Sequence, residues 1–302
     1  MTRPSSLFLL TIVACTQGRR VANAPQDSVQ VTGPAAVSAQ PADSLRSGGP
    51  LDSIPALLAA ADSQAEAARS QARPVAATPR ADSLFLTFRN GYLRVAERIT
   101  DKLDQASGVQ LSVLNDTATS GPLAALLAKH GFAFEYSEGN AYADEDVGYW
   151  ARFFNDVLTP AMRRYLEIRA TEQGSRFSED AGLRISWDEL GDRIATWEQF
   201  ADSHPDFTWR NASQFWYETY LSTYLTGMDN SRVFTDSGVL KPAVRRSYEL
   251  FLTRHPRGRA TSIVAQYLAL LKQNGFRQTP SVDAFLTERH VASMLGVQPP
   301  IR

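Results

Sequence analysis

From residue 83 to 105, apolar side chains recur at Leu84, Phe88, Leu93, Val95, Ala96, Ile99 and Leu103. This is the spacing of a helix with one buried face. A short helix is predicted from Pro122 to Lys129 or His130, stopped by Gly131. Phe132, Phe134 and Tyr136 then alternate with smaller or charged residues. Glu138-Gly139-Asn140 reads as a turn and Tyr142 follows, which predicts a small β-hairpin. A long helix is predicted over about 145–171, bent at Thr159-Pro160. Ser186-Trp187-Asp188-Glu189 has the form of a capping box and opens a helix carrying Leu190, Ile194, Trp197 and Ala201. Further helices are predicted over 209–225, 242–254, 259–273 and 280–295. Pro242 and Pro280 stand at first-turn positions, and Gly227, Gly275 and Gly296 lie past helix ends. The pattern over 81–302 thus gives a mainly α fold of stacked helical hairpins with one small β-hairpin.

The chain before residue 81 has a different character. Ala, Pro, Ser, Gln and Gly dominate it, and no aromatic residue occurs between Phe8 and Phe85. Such a stretch offers little apolar area to offset its ordering entropy, so 15–80 is expected to be a disordered tether. Within it, 54–73 has the composition of a weak alanine-rich helix. A flexible tether of this length has a mean reach of roughly 45 Å. At the start, Arg3 precedes eight apolar or small residues, Leu7 to Ala14. That fits the apolar region of a signal peptide over 1–14 and is too short to span a bilayer.

Ile12-Val13-Ala14-Cys15 resembles a bacterial lipobox, with aliphatic and small residues leading to the chain's one cysteine. The resemblance implies that the signal is cut before Cys15 and that its thiol carries a lipid. It also implies that Thr16, where an aspartate would retain the protein at the inner membrane, lets it pass to the periplasmic face of an outer membrane if the cell has one. Ala22-Asn23-Ala24 is a competing cleavage site that would release a soluble protein, but Arg19 and Arg20 separate it from the apolar run. One cysteine excludes any disulfide within the chain.

The helical region contains an echo. Trp197-Glu198-Gln199-Phe200 leads to His204-Pro205, and Tyr248-Glu249-Leu250-Phe251 leads to His255-Pro256, 51 residues later. Proline disfavours helical geometry in the residue before it and so stops each helix. Over 186–273 this resembles the helical hairpins of tetratricopeptide-type envelope lipoproteins, although the period in that family is about 34 residues. The resemblance implies a stacked architecture and no functional residues. Two ordinary hairpins sharing a stop signal account for the same pattern.

Lys and Arg number 31 against 32 Asp and Glu, so the chain is close to neutral. It shows no strong basic stripe in this reading, and a nucleic-acid partner is not expected. His130, His204, His255 and His290 form no zinc-ligating spacing, and no nucleophile elbow, phosphate loop or dinucleotide fingerprint occurs. No metal or cofactor is expected. Carboxylates remain: Glu135, Glu138, Asp144, Glu145 and Asp146 cluster about the predicted hairpin. Glu138 and Asp146 are the catalytic candidates, since paired carboxylates hydrolyse glycosidic bonds. Acids before a helix also cap its amides, a simpler account of 144–146. Asp229-Asn230-Ser231 with Asp236 reads as a turn. Trp209, Trp216, Tyr220 and Tyr224 share a helix face and belong to a core. Phe215 and Tyr217 fall on other faces and are candidates either to pack on a neighbouring helix or to line a groove for a peptide or glycan. The expected function is a non-catalytic, membrane-anchored envelope lipoprotein whose helical domain binds a protein or wall component. The alternative is an envelope hydrolase acting on glycan through carboxylates near 138–146. A two-lobed solute binder is disfavoured, because alternating strands and helices are absent.

Overall fold

The computed structural model describes residues 49–106, 121–137, 140–289 and 291. The chain is mainly α, as its pattern implies. Its first helices are α1 (Ile54–Ala72) and α2 (Pro79–Gln105). They are joined by six residues and pack along their lengths as a hairpin. α1 is not part of a tether. Ile54, Leu57, Leu58, Ala61, Ala65 and Ala72 are buried, and α2 presents Phe85, Phe88 and Tyr92 to the same core. The stretch from 49 to 80, expected to belong to the tether, is therefore part of the folded region. Alanines without an aromatic among them still form an interface when a partner helix brings the bulk. The salt bridge of Arg69 with Asp156, 3.0 Å, and the hydrogen bond between His130 Nδ1 and Asp62 Oδ2, 2.7 Å, tie α1 to later segments.

After α3 (Pro122–Lys129), Gly131 turns the chain at φ +79°. A Cβ there would lie 2.7 Å from Trp150 and Tyr149 side chains, so glycine is required for both conformation and space. The hairpin follows as β1 (Phe132–Ser137) and β2 (Asn140–Glu145), with Phe132 opposite Glu145 and Glu135 opposite Tyr142. One face lies on α2, where Phe132 stacks on Tyr92 at 4.2 Å, and Thr100 accepts the Ala143 amide at 3.0 Å.

The single bent helix expected over 145–171 is two helices, α4 (Val147–Phe153) and α5 (Pro160–Gly174). Pro160 has no N–H to donate and holds Thr159 extended (ψ 157°). The break is fixed by α2. Buried Asp82 accepts from the Thr159 amide at 3.0 Å and its hydroxyl at 2.6 Å. Thr159 in turn caps α5 through the Met162 amide, 3.1 Å.

Two further hairpins, each of two-residue strands, add to the one expected. They are β3 (Ser178–Glu179) with β4 (Gly182–Leu183) and β5 (Gly227–Met228) with β6 (Ser231–Arg232). Asp180 and Ala181 turn the first at φ +47° and +49°. The Asp229-Asn230-Ser231 segment turns the second and docks on the first, the Asn230 N–H bonding to Ala181 O at 2.9 Å.

The remaining helices are α6 (Trp187–Ser203), α7 (Arg210–Thr226), α8 (Pro242–Arg254), α9 (Arg259–Gln273) and α10 (Pro280–Glu288). α10 ends seven residues before its expected limit, with Arg289 as its C-cap. Ser186 caps α6 through the Glu189 amide at 3.0 Å, while the Glu189 carboxylate turns instead to Arg193 at 2.6 Å. α6 packs on α7 and α8, and α8 on α9. The two echoed segments end alike. His204 and His255 leave the helix at ψ 64° and 69°, their amides bond to Phe200 O and Phe251 O, and their rings lie 4.9 and 5.1 Å from those phenylalanines. One continuous apolar core runs from Ile54 to Val282.

Candidate functional site

The carboxylates around the hairpin are mostly engaged. Asp146 caps α4, its Oδ1 accepting the Tyr149 amide at 2.8 Å. Glu145 is buried and holds the half-buried Arg89 guanidinium at 2.6 Å. Asp144 Oδ1 accepts the Glu145 amide at 2.7 Å. Glu138 and Cys15 lie outside the described residues. Strand alternation places Glu135, Tyr142 and Asp144 on the hairpin face away from the phenylalanines. Arg176 crosses to this face, 2.6 Å from Glu135 and 3.1 Å from the Tyr142 hydroxyl. Burial raises the Glu135 pKa above the ordinary carboxylate range, opposed by Arg176 and reinforced by Asp144.

Phe215 and Tyr217 do not line a groove. Both are buried, Phe215 edge-on to Trp216 at 5.2 Å and Tyr217 beneath the Arg259 guanidinium at 5.1 Å. Burial, then the nearby Glu198 charge, pushes the Tyr217 phenol up to about 12. Trp209, Tyr220 and Tyr224 are buried as expected of a core face.

The tertiary structure assembles a seam of arginine–carboxylate pairs where α2, α5, α6 and α7 meet. Arg89 lies over Trp209 at 4.9 Å and Arg169 over Trp216 at 3.5 Å. Buried Glu172 collects Arg169 (2.6 Å), the Trp197 indole N–H (2.8 Å) and the Tyr220 hydroxyl (2.9 Å). Tyr165 packs against Trp197, Phe200, Phe207 and Trp209, and its burial raises its pKa to about 12. Arg169 and Glu172 are neighbours on α5, but Trp197 and Tyr220 lie 25 and 48 residues from Glu172, and Arg89 lies 56 from Glu145, so no local motif announces the seam.

An open cavity of ≈ 490 Å³ lies between the β3–β4 and β5–β6 hairpins, lined by Glu179, Asp180, Leu183, Arg184, Asn230 and Ser231. Much of its polar lining is already engaged: Ser231 Oγ accepts the Leu183 amide, Asn230 Nδ2 donates to Asp180 O, and Arg184 pairs with Glu179 at 3.3 Å. Among the described residues no three His, Cys, Asp or Glu side chains are placed to hold a metal ion, and no helix is long and apolar enough to cross a membrane.

Charge is distributed unevenly, which whole-chain neutrality conceals. Residues 49–240 carry seventeen Lys and Arg against twenty-seven Asp and Glu, whereas 241–302 carry ten against three. The whole-chain count hides this split, which a windowed charge count exposes. In space, the N-terminal end of α8 meets the C-terminal end of α9. The Leu240 amide bonds to Phe276 O at 2.8 Å, Val239 bridges Arg277, and Arg245 lies over the Phe276 ring at 4.0 Å. Lys241, Arg245, Arg246, Lys272 and Arg277 are thereby carried on one end of the domain, all but half-buried Lys241 exposed. Comparison of the chain with family models, curated proteins and solved structures finds no match.

Proposed function

We propose that this chain is a membrane-anchored cell-envelope lipoprotein that works by binding rather than turnover. The signal over 1–14 is removed, Cys15 carries the lipid, and the chain up to about residue 48 is the tether of the helical domain. In a cell with two membranes it faces the periplasm from the outer one. The partner is a protein or a wall component. The observation that supports a binding role is the engagement of the hairpin carboxylates. Asp146 is a helix cap and Glu145 is neutralised by Arg89, so neither is poised for proton transfer. The anchoring claim is tested by labelling expressed wild type and Cys15→Ala with a lipid precursor; label in the variant, or none in wild type, defeats it. The binding claim is tested by capture from envelope extracts on the immobilised chain, with heat-unfolded chain as the specificity control; no partner held by the folded chain alone defeats it.

Hydrolysis of glycan is the second reading. It draws support from Glu135 and Asp144, two carboxylates that strand pairing places on one hairpin face. Glycan release by wild type that is lost in both Glu135→Gln and Asp144→Asn, with folding intact, would favour it over the binding reading.

A further inference from the structure

The basic end of the α8–α9 hairpin breaks a local rule. A helix N-terminus carries partial positive charge and favours acids nearby. α8 has no acid in its first turn. It carries Lys241 as the N-cap residue and Arg245 and Arg246 within the next five positions. Arg245 is accounted for by Glu249, 2.9 Å away, and by the Phe276 ring. Lys241, Arg246 and Lys272 have no ion-pair partner among the described residues. Lys241 stands against the α8 dipole, so the dipole gives the fold no reason to keep it, whereas Lys272 lies in the last turn of α9, where the dipole favours a cation. Residues that break a local rule without a structural return mark functional surface.

The geometry points to this end as a docking surface for an anionic phospholipid membrane. The inference rests on the proposed lipid anchor, which keeps the domain near a bilayer. The arrangement of charge supports that occupant over others. An anionic sheet attracts the end bearing Lys241, Arg246, Lys272 and Arg277, whose cations outnumber the nearby acids Asp236 and Asp283, and repels the acidic surface elsewhere over 49–232, so one orientation is selected. The contact is electrostatic and does not involve insertion. The large apolar side chain exposed among the described residues is Tyr136, at 48%, on the hairpin rather than at this end. Each cation near an anionic leaflet strengthens attachment about fivefold, so the patch adds to the lipid anchor and sets which end of the domain faces the bilayer.

The test uses the full chain as Cys15→Ala, so that binding is read without the lipid and a failure here is separate from a failure of lipidation. Co-sedimentation is measured with vesicles of phosphatidylglycerol and phosphatidylcholine, and with phosphatidylcholine alone. Binding is expected to the first only and to fade as salt shortens the screening length. Adding Lys241→Gln, Arg246→Gln and Lys272→Gln together should weaken it about a hundredfold. The control removes three exposed cations elsewhere, Arg80→Gln, Arg94→Gln and Arg98→Gln, and should change it little. No binding of the unsubstituted chain to anionic vesicles overturns the proposal. So does equal weakening by the control set, which would report net charge alone. Self-association by light scattering that the first set abolishes, without vesicle binding, assigns the surface to the acidic half of a second copy and also overturns it. Unchanged melting temperatures show that the variants fold.

Discussion

Glu198 offers a sharp test of how the C-terminal helices are held. Its carboxylate projects from α6 and is buried. Oε1 accepts the Arg259 amide at 2.5 Å and the Ala260 amide at 3.2 Å, the first free N–H groups of α9. A side chain from one helix therefore caps another 61 residues away. Gly258 makes room for it at φ +134°, and a Cβ there would stand 2.4 Å from Glu198 Oε2. Glu198→Ala removes charge-assisted bonds and leaves two amides unpaired in a buried place, at a cost of about 3 kcal/mol. Glu198→Gln keeps an acceptor and costs about 1 kcal/mol. Gly258→Ala meets both backbone strain and the clash, together about 4 kcal/mol. Once Glu198 is alanine the clash is gone. The double variant should therefore be less destabilised than the sum of the singles by about 2 kcal/mol. Urea unfolding followed by tryptophan fluorescence measures all four proteins. Additivity within about 0.5 kcal/mol, or a Glu198→Ala cost below that figure, refutes the capping argument.

A chain beginning at residue 81 should fail to fold or should bind a hydrophobic dye, whereas one beginning at 49 should unfold cooperatively; Ile54, Leu57 and Leu58 alone contribute about 6 kcal/mol by burial. Glu172→Ala strands Arg169, Trp197 and Tyr220 and should lower stability by about 3–5 kcal/mol in urea titrations, with Glu172→Gln milder. Asp82 is raised above the usual carboxylate range by burial, with the Thr159 bonds opposing. Its contribution is fully present below the unfolded carboxylate pKa and declines as pH rises through the folded value, so the stability deficit of Asp82→Asn should be larger at about pH 3 than at about pH 7. The opposite trend would show that the charged form is the one the fold favours.

Much of the helical region was legible because its signals are local. α8 and α9 have the bounds read from the sequence, since Pro242 presets the first turn of one and His255-Pro256 stops it, and Gly275 lies just beyond the other. The hairpin was legible from alternation, and the cap at Asp146 from an acid placed before a helix. The α1 helix was read over 54–73 but placed in the tether, because its alanine face becomes core only against the phenylalanines of α2, which no window over 54–73 contains. The break before Pro160 was seen as a bend, because the acceptor that stabilises it, Asp82, lies 77 residues away.

The sequence by itself determined the bounds of α8 and α9 and the caps of α4 and α6, and it held the acidic and basic regions from the outset. These depend on dihedral preference, capping and charge, which neighbouring residues settle. Tertiary structure alone decided that Phe215 and Tyr217 are buried, that Arg89 finds Glu145, and that Lys241 and Arg277 share one end of the domain. Those outcomes depend on which helices pack together, and burial and ion pairing act through space between residues that the chain keeps far apart.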